Sequence, residues 1–204
     1  MKISVVLSTY NRCESLAETL ESLANQKVKP GILVEVLVIN NNSTDKTKEV
    51  TESFAAKSPW PARHIFEPRQ GLSCARNRGI KEAAGDYLIF TDDDVLFCDG
   101  WLQAVADTFA KEGADCVGGK IIPVWSKPPF PWIFEPQFQA VLRGVYVCLD
   151  HGPQTKVFKE LDYDFAFGAN MAFSKKTLGE VGSFREDLGM KGNKRFYGEE
   201  TDLL

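Results

Sequence analysis

The chain has 204 residues, a net charge of −4, and a composition that is 44% hydrophobic, 25% charged and 11% aromatic. A chain of this length can bury roughly 70% of its unfolded surface, so its core needs neither disulfides nor a structural metal. The acidic balance argues against a nucleic-acid-binding surface.

Five scattered cysteines, odd in number and never in a CxxC pair, argue against a zinc or disulfide framework and fit reduced thiols in the cytosol. The first apolar run, "ISVVLS", is too short for a signal peptide. No run approaches the roughly 18 to 20 apolar residues that span a bilayer.

In chain order, "ISVVLS" (3–8), "VEVLVIN" (34–40), "ARHIF" (62–66), "DYLIFTD" (86–92) and "ADCVGGKI" (114–121) read as strands. Their apolar positions are nearly continuous, as expected where both faces of a sheet are covered. Between them, 13–26 places Leu16, Leu20 and Leu23 at helical spacing, and 45–57, 72–84 and 100–113 read as helices too. Ser43 or Asp45 is expected to cap the second helix. This alternation predicts right-handed βαβ units and a mainly parallel sheet.

The pattern changes at Pro123. Residues 123–138 hold five of the ten prolines together with Trp125, Phe130, Trp132, Phe134 and Phe138. Proline lacks a backbone donor, so the segment reads as irregular. It is either a covering loop packed by its own aromatics or a lid over an acceptor. Residues 165–184 return to a strand and then a helix. The terminal "YGEETDLL" reads as the opening turns of an amphipathic helix with no stop signal, as in a truncated product.

Polar segments follow three of the strands: "STYNR", "NNNSTD" and "TDDDV". Open α/β sheets bind ligands at such carboxyl ends. Neither GxGxxG nor GxxxxGK[ST] is present, so the phosphate cradles those motifs build are absent. A metal-bridged diphosphate is the alternative. In extended chain Asp92 and Asp94 share one side and Asp93 takes the other, and two carboxylates can engage a hard divalent cation that also binds phosphate.

"VVLSTYNR", "VLVINNNSTD", "GLSCARNRGIKEAAGDYLIFTDDDV", "FGANMAFSKK" and "GEETDLL" resemble, in order and spacing, family-2 glycosyltransferases of the GT-A fold. The resemblance implies an α/β, Rossmann-like single domain over 1–204, with a nucleotide-sugar half (1–120) and an acceptor half (121–204). It implies inverting transfer from a nucleoside-diphosphate-sugar, a UDP-sugar first, to a saccharide or lipid-linked saccharide, with Mn²⁺ or Mg²⁺ as cofactor. Surface polysaccharide or glycoconjugate synthesis in the cytoplasm follows, with membrane association through a missing C-terminal region.

By the same resemblance, Ser8, Thr9, Tyr10 and Asn11 hold the nucleobase and ribose, aided by Asn40, Asn41 and Asp45. Arg76, rather than the solvated Arg78, reaches the diphosphate. Asp92 and Asp93 serve the donor, and Asp94 with Asp92 holds the metal. Gly168, Ala169 and Asn170 let the sugar approach. The general base comes from Glu199, Glu200 and Asp202, with Glu200 at the position the family's aspartate occupies. Residues 123–138 and 139–165 form much of the acceptor side. His64 is expected to be structural, and His151 has no assigned role. The competing readings are a nucleotide-sugar-binding fragment without activity and a sugar nucleotidyltransferase.

Overall fold

Strands β1 (Lys2–Thr9), β2 (Leu33–Asn40), β3 (Ala62–Phe66) and β4 (Tyr87–Asp92) are interleaved with helices α1 (Cys13–Ala24), α2 (Thr47–Ala55) and α3 (Leu72–Glu82). All seven lie within a few residues of the stretches expected from apolar periodicity. The structure is a computed structural model that describes residues 1–158, 166–191, 194–195 and 198–203. Residues 159–165 of the expected acceptor side, and Tyr197 and Leu204 of the terminal motif, lie outside that set.

After α4 (Trp101–Glu112) comes the short β5 (Cys116–Gly118), and a six-stranded sheet forms in the order β3-β2-β1-β4-β6-β5, where β6 is Met171–Ser174. β1 to β4 pair in parallel, while β6 runs antiparallel to both β4 and β5. The strand expected over 114–121 is therefore shorter and does not pair with β4. A segment more than fifty residues later fills that place, and local periodicity carries no information about such a partner.

Alternating side chains divide the core. Val5, Leu7, Val36, Val38 and Ile89 face α1 and α4, where Leu16, Leu20 and Leu23 are fully buried. Burying each leucine contributes about 2 kcal/mol. Val6, Leu37, Ile39, Leu88 and Phe90 face the other way, toward Ala75 of α3, Leu178, Phe184 and Leu203. α3 lies so close to β1 that a Cβ at Gly79 would collide with the Val6 side chain.

The register aligns Ser8 with both Ile39 and Asp92, and Thr9 with Asn40. The polar ends of β1, β2 and β4 thus share one edge. The chain moves outward from β1 to β3 and then returns to the opposite side of β1 at β4, and that reversal opens a crevice at the carboxyl ends.

The proline-rich stretch contains two single turns of 3₁₀ helix, Pro131–Phe134 and Pro136–Phe138, and runs into α5 (Gln139–Tyr146), a helix not expected from the sequence. An antiparallel bridge between Ile121 and Leu149 closes the base of this excursion. Trp125 packs on Tyr146 with ring centroids 4.8 Å apart, and Trp132 packs on Phe138 at the same distance. α6 (Lys175–Val181), capped by Ser174, follows β6; β7 (Met190–Lys191) and β8 (Lys194–Arg195) form a small hairpin before α7 (Glu199–Leu203).

The loop after α6 is tied to α3 by Asn77, which donates to Phe184 O (2.8 Å) and accepts from Phe184 N (2.9 Å). Asn77 is 5% exposed, so removing its amide strands two buried backbone groups. Asn77→Ala is expected to lower the unfolding free energy by about 2 kcal/mol. A urea titration would show this as a shifted midpoint with an unchanged slope; an unshifted midpoint would contradict the pairing.

Candidate active site

At the crevice floor, Arg76 of α3 is only 2% exposed. Its Nη1 donates to Glu199 Oε1 (3.1 Å) and its Nη2 to Glu200 Oε1 (3.1 Å), with Asp92 Oδ1 3.7 Å from Nη2. The guanidinium also sits 5.3 Å from the centre of the Phe184 ring. One cation therefore faces three carboxylates. Burial, with Arg76 opposing and Glu200 adding to it, pushes the Asp92 carboxyl up to about 6. Burial, followed by the Glu200 charge, also raises the Glu199 carboxyl. Arg76 was expected to reach a diphosphate. In the structure its Nη1 and Nη2 each donate to a protein carboxylate.

The three acidic residues of α7 occupy different surroundings. Glu199 is buried against Arg76, and Asp202 lies 3.3 Å from Arg185 Nη1 on the exposed side. Glu200 is intermediate: its Oε1 accepts from Arg76 and from the Gly168 N–H (2.9 Å). Gly168–Asn170 forms one 3₁₀ turn ahead of β6. Ala169 O accepts from the Thr91 hydroxyl (3.1 Å). The Asn170 amide accepts from Trp101 Nε1 (3.0 Å) and donates to Lys120 O (3.1 Å), which pins the turn to α4 and to the chain after β5.

Alternation in the aspartate triplet ends where β4 ends, at Asp92. Asp93 and Asp94 lie in the following turn and converge on one side chain, Arg12, whose Nη1 is 2.6 Å from Asp94 Oδ2 and 3.4 Å from Asp93 Oδ1. The expectation that Asp92 and Asp94 share a side rests on extended chain, which ends at Asp92; what the two have in common is exposed surface at this edge. Asp93 is 5% exposed, whereas more than half of the Asp94 side chain meets solvent. Burial raises the Asp93 carboxyl despite the opposing pull of the Thr9 hydroxyl and of Arg12.

The asparagines serve the loops. Asn11, at φ 51°, accepts from Thr44 N (2.8 Å), and its own N–H donates to Ser43 Oγ (3.0 Å). Asparagine is one of the few side chains that adopts this backbone readily. Asn40 accepts from Ser43 N (2.8 Å) and contacts His64 Nε2 (3.0 Å), while Asn41 donates to Arg69 O (2.7 Å) and accepts from Gly71 N (2.8 Å). Asp45 accepts from Thr47 N (3.0 Å) at the start of α2 and also from Cys13 N (2.9 Å) at the start of α1. These hydrogen bonds hold its carboxyl below its ordinary value against a burial that raises it. It thus satisfies the leading N–H of α2, the service expected of a cap, and that of α1 as well, although the N-cap positions themselves are Lys46 and Arg12.

Thr9 is buried, while Tyr10 is 41% exposed at the rim. Ser8 is buried, and its hydroxyl has no partner among the described residues. His64 lies in β3, as expected of a structural residue, and burial lowers its basicity. Arg78 pairs with Glu82 (2.9 Å) on the exposed face of α3. Sequence reasoning missed two arginines here, Arg12 and Arg185. Arg12 stands directly after the "STYN" motif, which was the available signal.

Among the described residues, no three His, Cys, Asp or Glu side chains converge to hold a metal by themselves. A hard cation that takes one or two carboxylates and completes its shell with phosphate and water fits the residues present, because Asp94 and Asp92 both keep exposed surface at this edge.

A Cβ on Gly168 would collide with Arg76 Nη2 and Glu200 Oε1. Gly168→Ala is expected to cost about 2 kcal/mol of stability by forcing the cluster apart. A denaturation midpoint equal to the parent's would contradict this packing.

The profile described as Glycosyl transferase family 2 matches residues 4–182. A glucosyl-dolichyl phosphate glucuronosyltransferase of Haloferax volcanii is 27% identical over the whole chain, which covers 62% of that protein. The succinoglycan biosynthesis protein ExoM of Rhizobium meliloti is 29% identical over 70% of this chain and 46% of its own length. The chain thus spans about half to three-fifths of these relatives. In fold it is similar to S. aureus TarS in complex with UDP (TM-score 0.71, 21% identity, 100% of this chain and 54% of that one). It is also similar to the mannosyltransferase PcManGT of Pyrobaculum calidifontis in complex with GDP-Man and Mn²⁺ (TM-score 0.66, 22% identity, 93% of this chain and 49% of that one). With a mixed α/β sheet of the GT-A type and a profile match over most of its length, the chain belongs to glycosyltransferase family 2.

Proposed function

We propose that this chain transfers a sugar from a nucleoside-diphosphate-sugar to a hydroxyl acceptor with inversion at the anomeric carbon. One observation carries the reading: a buried arginine holds Glu200 beside Asp92, so a candidate base and the aspartate-bearing strand end face one crevice. Inverting transfer needs a carboxylate opposite the leaving group, positioned to take the proton from the attacking hydroxyl. Glu200 suits that role, since Gly168 and Arg76 orient one oxygen of a partly exposed carboxylate. Glu199 is buried and Asp202 faces Arg185, so both are supporting groups.

Asp94 and Asp92 would hold Mn²⁺ or Mg²⁺, which would neutralise the departing diphosphate as a Lewis acid. Tyr10 would stack on the base and the Ser8 hydroxyl would donate to the nucleoside. The complexes of the similar folds, with UDP and with GDP-Man and Mn²⁺, support this donor class and a divalent cation. A UDP-sugar is our first choice. The relative named for a glucosyl-dolichyl phosphate supports a lipid-linked saccharide as acceptor and, with it, glycoconjugate synthesis; the cytoplasmic face of a membrane is our own assignment for the reaction. No helix among the described residues is long and apolar enough to cross a membrane.

UDP with Mn²⁺ is expected to raise the melting temperature, and Asp94→Ala to abolish most of that rise. An equal rise in the variant would count against the metal–diphosphate assignment, as would no rise with UDP or GDP in the parent. Glu200→Gln is expected to bind the donor normally while transfer slows by about 10²–10⁴-fold. Undiminished transfer would put the base elsewhere.

A further inference from the structure

Two arginines reach the strand ends, and their surroundings differ sharply. Arg76 is enclosed, with its Nη1 and Nη2 bonded to Glu199 and Glu200. Arg12 has 55% of its side chain exposed, and its guanidinium spans the carboxylates of Asp93 and Asp94. Among the described residues, Arg12 makes all the ion pairs that these two aspartates have. It stands at the N-terminal end of α1, directly after Asn11, whose left-handed backbone turns the chain from β1 into the helix. The Asp93 backbone carbonyl is held by Ser15 Oγ (2.8 Å), so the triplet's turn and the start of α1 are tied together independently of the arginine.

We propose that Arg12 is the resident counter-ion of the aspartate turn: it occupies Asp94 until a divalent cation arrives, then turns its guanidinium to the diphosphate. This inference rests on the donor-site reading above. Adjacent carboxylates repel, and a cation in contact offsets the repulsion; a solvent-exposed pair does so weakly enough to be displaced. A divalent ion on Asp94 would repel Arg12. A bound diphosphate would supply a new acceptor within reach, one that suits a planar guanidinium with several donors. Arg12 is thus a binding residue on the donor side, assigned the phosphate contact because its guanidinium is exposed while that of Arg76 is enclosed among protein carboxylates.

The test measures Mn²⁺ and UDP separately, with no turnover. Mn²⁺ alone is titrated by following the free-ion spin-resonance signal, and UDP is titrated calorimetrically at saturating Mn²⁺. Arg12→Gln is expected to bind Mn²⁺ roughly three- to tenfold more tightly, because a competing charge is gone. The same variant is expected to bind UDP about tenfold more weakly, because a charged donor is lost. Arg12→Lys should restore most of the parent behaviour in both titrations. Lys29→Gln, which removes an exposed charge elsewhere, should change neither. A purely structural role for Arg12 would weaken both ligands together or neither, and either result overturns the inference while leaving the donor site intact. Failure of the parent to bind both Mn²⁺ and UDP would overturn the donor-site reading and this inference with it.

Discussion

The crevice depends on one buried cation. Arg76 joins α3 to the end of β4 and to α7, elements separated by up to 124 residues of chain. Removing an arginine from water is costly, and the cost is offset only where charged acceptors satisfy it. Here the acceptors outnumber the cation, and burial, reinforced by the Glu200 charge, raises the proton affinity of Asp92 and Glu199. Gly168 contributes a backbone N–H where any larger residue would collide, and the Phe184 ring closes the remaining side.

Around this centre, buried groups build the frame and exposed groups face the crevice. Asn40, Asn41 and Asp45 spend their hydrogen bonds on turns and helix starts, so the loops after β1 and β2 are held to each other and to α3. Asn170 does the same for the turn before β6. What remains on the open side is Tyr10, the Asp94 carboxylate, the Arg12 guanidinium and the partly exposed Asp92 and Glu200, beside the buried, unmatched hydroxyl of Ser8. Residues fully engaged in the fold are poor candidates for chemistry that requires changing partners, and those with spare capacity are better ones.

The excursion after β5 adds a second kind of surface. Its aromatics pack on one another, yet Phe130, Trp132 and Phe134 keep about half or more of their surface exposed. Only Ile133 of its 3₁₀ turns and Leu142 of α5 are buried. The packed inner rings match the covering-loop reading, and the outer rings leave an exposed apolar rim.

Much of this molecule was legible in the chain. Apolar runs and helical spacing located β1 to β4 and α1 to α4 closely, with β3 at residues 62–66 as expected, because those signals come from neighbours a few residues apart. The polar strand ends were legible for the same reason, and with them the location of the crevice. Tertiary structure decided the partners. Nothing local foretold that β6 would enter the sheet antiparallel between β4 and β5, that α5 would form, or that Asp45 would bond the leading N–H of two helices. Nor did it foretell that Arg76 would be claimed by Glu199 and Glu200 while Arg12 took Asp93 and Asp94. Those choices turn on which charges meet across 81 to 124 residues once the sheet has closed, and on how much water is left between them.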